Sequence, residues 1–259
     1  MFSNLNIGSM KKPATKGRPR KSETTRFKVM AWFNAVAEAS GKTAAELERE
    51  FAPAEHVRWV DGMEIRPRLW EKYRRGEVEP RSGCSLKGAL NLVERVEQRY
   101  PGTAIWLSSP LWRLADTAPM EMSEIREIYE GLPYLLRSIF IAAPHEASEV
   151  FWRRPVDPQH VCEILLRQGG LDALITALAM VKEAEITQDQ YQHSEGRETA
   201  QRCLTYMKHG QIFDAKLLGN LRRYLECNWR RVQYFSIPGE CEGEDKADDE
   251  EFYKSLDRR

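Results

Sequence analysis

Apolar residues recur at intervals of three and four through most of this chain, which is the spacing of amphipathic α-helices. Val29, Trp32 and Val36 mark one face of a first helix, predicted to end at Gly41. Thr43-Ala44-Ala45-Glu46 has the form of a capping box and predicts the start of a second helix. No stretch alternates polar and apolar residues for long enough to predict a sheet. The pattern therefore predicts an all-α fold.

The same spacing predicts helices along the remainder of the chain. Asp157-Pro158 supplies an N-cap residue followed by proline at the first helical position, and Gly169-Gly170 separates two later helices. Trp59 and Val60 are expected to be buried. The predicted helical segments after the capping box are 66–75, 85–100, 122–129, 132–142, 144–152, 158–168, 171–185, 195–209 and 213–235.

Breaks in the pattern predict four regions. A disordered basic arm covers 1–25, and a helix-turn-helix-like N-terminal domain covers 26–116. A multi-helix C-terminal bundle covers 120–238, and an acidic tail covers 239–259.

Charge is balanced over the whole chain, with 39 basic and 39 acidic residues, but it is distributed unevenly. Residues 1–30 contain eight Lys or Arg and one acid, whereas 240–251 contain eight acids and one Lys. Opposite tails of this kind indicate binding to a polyanion, to each other, or to both.

The basic arm contains a short motif that resembles an AT-hook, whose core is Gly-Arg-Pro between basic residues. The resemblance implies that Gly17 lets the backbone approach the floor of an A·T minor groove and that Arg18 inserts deepest. A solvated basic tail that contacts phosphates without sequence preference is the alternative. The residues of the motif are Lys16, Gly17, Arg18, Pro19, Arg20 and Lys21.

The segment 33–80 resembles a lambda-repressor/Cro-like helix-turn-helix domain. The resemblance rests on the turn at Gly41, the capped helix after Thr43, and the stretch Leu69-Trp70-Glu71-Lys72-Tyr73-Arg74-Arg75-Gly76. Residues 52–65 depart from the family, which joins its second and third helices by a tight turn. The alternative is an amphipathic core helix with a solvated basic face. The resemblance implies DNA contacts by Arg66, Arg68, Lys72, Arg74 and Arg75, of which 68, 72 and 75 are expected to share one helical face.

No catalytic or metal-binding pattern stands out. The five cysteines are widely spaced, which predicts reduced thiols in a cytoplasmic protein. Glu163, Glu183 and Glu185 are predicted to be surface acids on helices. No apolar run reaches the roughly 18 residues that a membrane span needs. We therefore expect a protein that is not an enzyme and has no cofactor or membrane partner.

These observations predict a bacterial-type DNA-binding protein that regulates transcription or acts as an accessory factor. DNA would bind the basic arm and the N-terminal helices, while the C-terminal helices would form a homodimer or bind a protein partner. The sequence does not separate DNA from RNA. The alternative is a helical adaptor in a larger complex, of a mobile element or a defence system, with weak nucleic-acid contact.

Overall fold

The computed structural model describes residues 22–52, 58–81, 90–142, 152–207 and 212–229. These residues are mostly helical, which confirms the predicted all-α fold. The AT-hook-like motif, the helix predicted over 144–152 except for its last residue, and the acidic tail lie outside the described residues.

The chain divides into two compact units. Among the described residues, those within 22–116 and 212–217 form the first unit, and those within 117–207 and 218–229 form the second. The segment 212–217, which the sequence pattern assigned to the C-terminal bundle, thus belongs to the first unit. It is held there by a hydrogen bond of 2.9 Å from Asn34 Nδ2 to the Ile212 carbonyl, and by the ring of Phe213 packed against Trp106.

The first unit contains six helices and one β-hairpin within its described residues. Their bounds are α1 (Glu23–Ser40), α2 (Ala44–Phe51), β1 (Arg58–Val60), β2 (Met63–Ile65), α3 (Leu69–Arg74), α4 (Leu92–Arg99), α5 (Ile105–Ser108) and α6 (Leu111–Leu114).

Local capping fixes the ends of α1 and α2. Ser22 caps the start of α1 by accepting a hydrogen bond from the Thr25 N–H, and Gly41 ends that helix in the left-handed conformation. The predicted capping box of α2 is confirmed, because Thr43 and Glu46 each accept a backbone hydrogen bond from the other.

Helix α1 is the centre of the first unit, and residues on most of its circumference are buried. Its Trp32 is fully buried and packs among residues of α2, α3 and α4. The core of this unit therefore surrounds a helix, as expected of a packed helical bundle.

The hairpin β1–β2 was not predicted. Its strands pair antiparallel, with Val60 opposite Met63, around a two-residue turn at Asp61 and Gly62. The prediction that Trp59 and Val60 are buried is wrong, because Trp59 is 69% exposed and Val60 is 46% exposed. Each strand is only three residues long, too short for an alternating pattern to reveal it.

The start of α4 also differs from the prediction. The sequence predicted a helix from residue 85, but Leu90 and Asn91 are not helical and α4 begins at Leu92. The Asn91 side chain accepts the Glu94 N–H at 2.9 Å, and Glu94 bonds back to the Asn91 N–H. The asparagine side chain readily accepts hydrogen bonds from nearby backbone N–H groups, so Asn91 caps the start of this helix instead of lying within a longer one.

The described part of the second unit is built mainly from helices. Their bounds are α7 (Met122–Glu130), α8 (Tyr134–Phe140), α9 (Pro158–Gln168), α10 (Gly170–Thr187) and α11 (Gln190–Tyr206), and α12 (Ala215–Trp229) begins in the first unit and continues into the second. Asp157 caps α9 and Pro158 is its first residue, as predicted.

Helix α10 is the centre of the second unit and is buried over most of its length. Gly196 allows α11 to approach α10 closely, since a Cβ atom there would lie 3.2 Å from the Ala177 carbonyl oxygen and 3.0 Å from Val181. Within the described ranges, no helix combines the length and the apolar character that crossing a bilayer requires.

A buried ion pair links α10 to the segment before α9. Glu183 is 6% exposed, so the prediction that it is a surface acid is wrong. Arg153 contacts both of its carboxylate oxygens, at 2.8 and 3.0 Å, and the Tyr129 hydroxyl and Gln192 amide each donate to it at 2.8 Å. Burial, and then the Glu183 charge, raise the pKa of Tyr129 well above its ordinary value, so this phenol stays a neutral donor.

Replacing Glu183 with Ala should destabilise the second unit strongly. The substitution leaves Arg153 without its ionic partner and the Tyr129 hydroxyl without its acceptor, and loss of one partner of a buried pair costs about 3–5 kcal/mol. Urea unfolding followed by far-UV circular dichroism measures the loss. The matched control is Glu163→Ala, whose exposed pair with Arg167 should contribute little. Equal effects of the two substitutions would contradict this assignment.

Candidate nucleic-acid interface

Two aromatic side chains of α3 face the core of the first unit. The Trp70 ring stacks on Trp32, with centroids 5.5 Å apart, and lies 5.5 Å from Phe51. Tyr73 meets Trp32 edge to face at 5.4 Å. Because these contacts place the inner face of α3 against α1 and α2, its other side faces solvent.

A buried carboxylate fixes the start of α3. Glu48 of α2 is 5% exposed and accepts the Trp70 backbone N–H at 2.8 Å. This N–H is one of those that a helix cannot satisfy within its own first turn. The bond therefore joins the start of α3 directly to α2.

The pKa of Tyr73 is also affected by this buried environment. Burial first, and the nearby Glu48 charge second, raise the pKa of Tyr73 to about 12. Tyr73 is consequently a neutral phenol at any physiological pH and adds no charge to this region.

The end of α3 is fixed by Gly76, which has a φ of +67°. The Gly76 and Glu77 N–H groups bond back to the Tyr73 and Lys72 carbonyls, in the pattern that ends many helices. A Cβ atom on Gly76 would lie 2.6 Å from the Arg26 carbonyl oxygen. The Arg26 side chain in turn donates to the Arg75 carbonyl at 3.3 Å, so α1 closely contacts the end of α3.

An open groove of about 590 Å³ lies on the solvent side of α2 and α3. Its cationic lining consists of five arginines in the portion of the chain that the structure describes, and its acidic lining consists of two glutamates. The lining residues are Ala44, Ala45, Glu48, Arg49, Arg66, Arg68, Glu71, Arg74 and Arg75. We call this feature the arginine groove.

The two glutamates neutralise the arginine groove only in part, because five arginines line it. Glu48 is buried against the Trp70 N–H, and Glu71 pairs with Arg74 at 2.9 Å. Arg75 pairs with Glu77, although both side chains remain about half exposed. Arg49 and Arg68 are exposed and have no ion pair among the described residues. The groove thus presents net positive charge to solvent.

The structure brings together four of the predicted contact residues, namely Arg66, Arg68, Arg74 and Arg75. Lys72 is exposed on α3 but does not line the groove. The other predicted contacts, Lys16, Gly17, Arg18, Pro19, Arg20 and Lys21, lie outside the described residues.

The predicted shared helical face of residues 68, 72 and 75 is wrong. Helix α3 begins at Leu69, and Arg68 precedes it in the left-handed conformation, with a φ of 51°. Arg68 therefore reaches the groove from the connecting segment and not from a helical turn. Helical spacing does not apply to a residue outside the helix.

Arg49 is a groove residue that the sequence analysis missed. It lies four residues after Ala45 on α2, and both line the groove. The capping box, which predicted α2, together with four-residue spacing would have placed Arg49 beside Ala45. What the sequence did not show is that α3 lies along this face of α2.

Within the described part of the chain, no group of three or more His, Cys, Asp or Glu side chains is arranged so that it could hold a metal ion. Cys162 and Cys203 are buried, and burial raises the pKa of both thiols, to about 11 for Cys203. Buried thiols with a raised pKa are poor nucleophiles and poor ligands.

Comparison of the chain with protein-family models, with curated proteins and with solved structures found no match.

Replacing Glu48 with Ala should loosen α3. The Trp70 N–H loses its acceptor in a buried site, which costs about 1–3 kcal/mol of unfolding free energy. Glu48→Gln keeps an acceptor oxygen and should lose less. Glu38→Ala, at an exposed position of α1, is the control and should change stability little. Equal stability of Glu48→Ala and Glu38→Ala in urea would show that the bond does not hold α3.

Gly76→Ala should destabilise the first unit more than Gly41→Ala. Both glycines have nearly the same positive φ, 67° and 66°, so both substitutions carry the same backbone strain of about 1–2 kcal/mol. Only at Gly76 does the new Cβ meet Arg26, which adds about 1–3 kcal/mol of overpacking. Thermal unfolding of the two variants measures the difference, and similar midpoints would contradict the close contact.

Proposed function

We propose that this chain is a DNA-binding regulatory or accessory protein that holds the phosphate backbone in the arginine groove. The observation that carries the proposal is the convergence of five arginines on one open groove with few competing carboxylates. Guanidinium groups bind phosphate oxygens through paired hydrogen bonds and remain charged at all relevant pH values. The basic arm, whose charge lies in the same part of the sequence, would add further phosphate contacts.

We further propose that α2 and α3 act as the pair of a helix-turn-helix element with a β-hairpin inserted between them. Three features support this proposal: α2 begins after a short turn from α1, α3 packs on both α1 and α2, and the polar side of α3 is exposed. Helix α3 has only six residues, so bases would be read from its first turn and from Arg66 and Arg68 just before it.

A helical adaptor is the second candidate function, and one observation favours it. Tyr134 and Leu135 begin α8 with exposed fractions of 72% and 74%, and large neighbouring apolar side chains in solvent are common at protein interfaces. An adaptor would bind nucleic acid weakly and a protein partner tightly. The salt dependence of binding separates the two candidates.

The double variant Arg49→Gln, Arg68→Gln should weaken DNA binding and reduce its salt dependence. Each lost phosphate contact removes about 0.9 from the slope of log affinity against log salt, so the slope should fall by about 2. Fluorescence anisotropy with a duplex of about 20 base pairs, between about 50 and 200 mM salt, measures both quantities.

The matched control is Arg167→Gln, Arg202→Gln, which removes the same charge from exposed positions of the second unit. It should leave the slope unchanged. If both double variants lowered the affinity equally, net charge and not the arginine groove would explain binding. If neither variant changed it, the groove would not be the binding site.

A further inference from the structure

The hairpin β1–β2 carries an exposed aromatic side chain, and it directly precedes Arg66 of the arginine groove in the chain. Trp59 is 69% exposed and Val60 is also exposed, although tryptophan is a residue that folded chains bury extensively. The Trp32 and Trp70 rings of the same unit are fully buried. The exposure of Trp59 therefore distinguishes it from its neighbours in the core.

The position of the hairpin relates Trp59 to the groove. Trp59 pairs with Glu64, strand β2 ends at Ile65, and the next residue, Arg66, lines the groove. Strand spacing places the Cα atoms of Trp59 and Arg66 within roughly 12 Å of each other. The backbone positions of Trp59 and of the groove residue Arg66 therefore lie within the span of a few nucleotides.

The turn of the hairpin gives Trp59 a defined position. Asp61 and Gly62 both have positive φ, at 50° and 75°, as in the two-residue turns that match the twist of paired strands. A tight turn leaves the ribbon little freedom to splay. The indole is thus presented by a short, defined element and not by an open loop.

We infer that Trp59 stacks on an unpaired base of a nucleic acid whose backbone lies in the arginine groove. This inference rests on the proposed function and specifies its substrate class. Stacking needs an accessible base face, which a single strand or an unpaired segment offers directly. Insertion into an intact duplex would first require unstacking of a base step, at a cost in free energy. The cations of the arginine groove, whose residue Arg66 directly follows strand β2, favour a polyanion over an apolar protein surface as the occupant.

The test compares two probes of equal length, a fully paired duplex and a duplex with about four central unpaired nucleotides. The full chain should bind the second probe about ten-fold more tightly, since one stacked base contributes about 5- to 150-fold in affinity. Trp59→Ala should abolish this preference without changing the salt slope. Trp59→Phe keeps an aromatic ring and should retain most of the preference for the probe with unpaired nucleotides.

Tyr134→Ala is the matched control, because it removes an equally exposed ring from the second unit and should leave the preference intact. Equal binding of both probes by the unaltered chain, or a preference that survives Trp59→Ala, would overturn the inference. The arginine variants test the proposed function separately, since they should weaken binding to both probes and leave their ratio unchanged. Loss in the arginine variants with no effect of Trp59→Ala would refute only the stacking.

Discussion

The hydrogen bond from the Trp70 N–H to the buried Glu48 carboxylate is the constraint on which the arginine groove depends. It fixes the start of α3 against α2, while the stacked rings of Trp32 and Trp70 fix its inner face against α1. Gly76 fixes the other end by allowing the close approach of Arg26. A six-residue helix is too short to be stable by itself, so its orientation comes from these contacts. The orientation of α3, in turn, sets where Arg74 and Arg75 lie.

The same bond also influences the charge of the groove. A second accessible carboxylate, in addition to that of Glu71 on Arg74, would compete with phosphate for the arginine hydrogen bonds. Glu48 lines the groove, but its carboxylate is engaged by the start of α3 and is nearly inaccessible to solvent. The second unit uses the opposite arrangement, since Glu183 is buried with an arginine and neutralised by it. Buried Glu48 thus leaves the groove arginines available to a ligand, whereas buried Glu183 forms an ion pair with Arg153.

The proposed interface combines two kinds of contact that differ in what they recognise. In this proposal the arginine groove would hold backbone phosphates, which are the same in every sequence, and would therefore contribute affinity more than selectivity. The hairpin adds a ring that distinguishes unpaired from paired bases. Because the hairpin separates α2 from α3 in the chain, both kinds of contact arise from one continuous segment, residues 44–75. If the proposal holds, the inserted residues, which depart from the helix-turn-helix pattern, would take part in substrate choice.

Local sequence determined the features that depend on neighbouring residues. The capping box at Thr43, the end of α1 at Gly41 and the Asp157-Pro158 start of α9 follow from bonds within a few residues, so the pattern predicted them and the all-α fold. Only the tertiary structure decided the exposure of Trp59, the burial of Glu183 and the membership of Arg49 in the groove. Each of these depends on which distant element packs against the residue, and hydrophobic spacing along one helix does not contain that information.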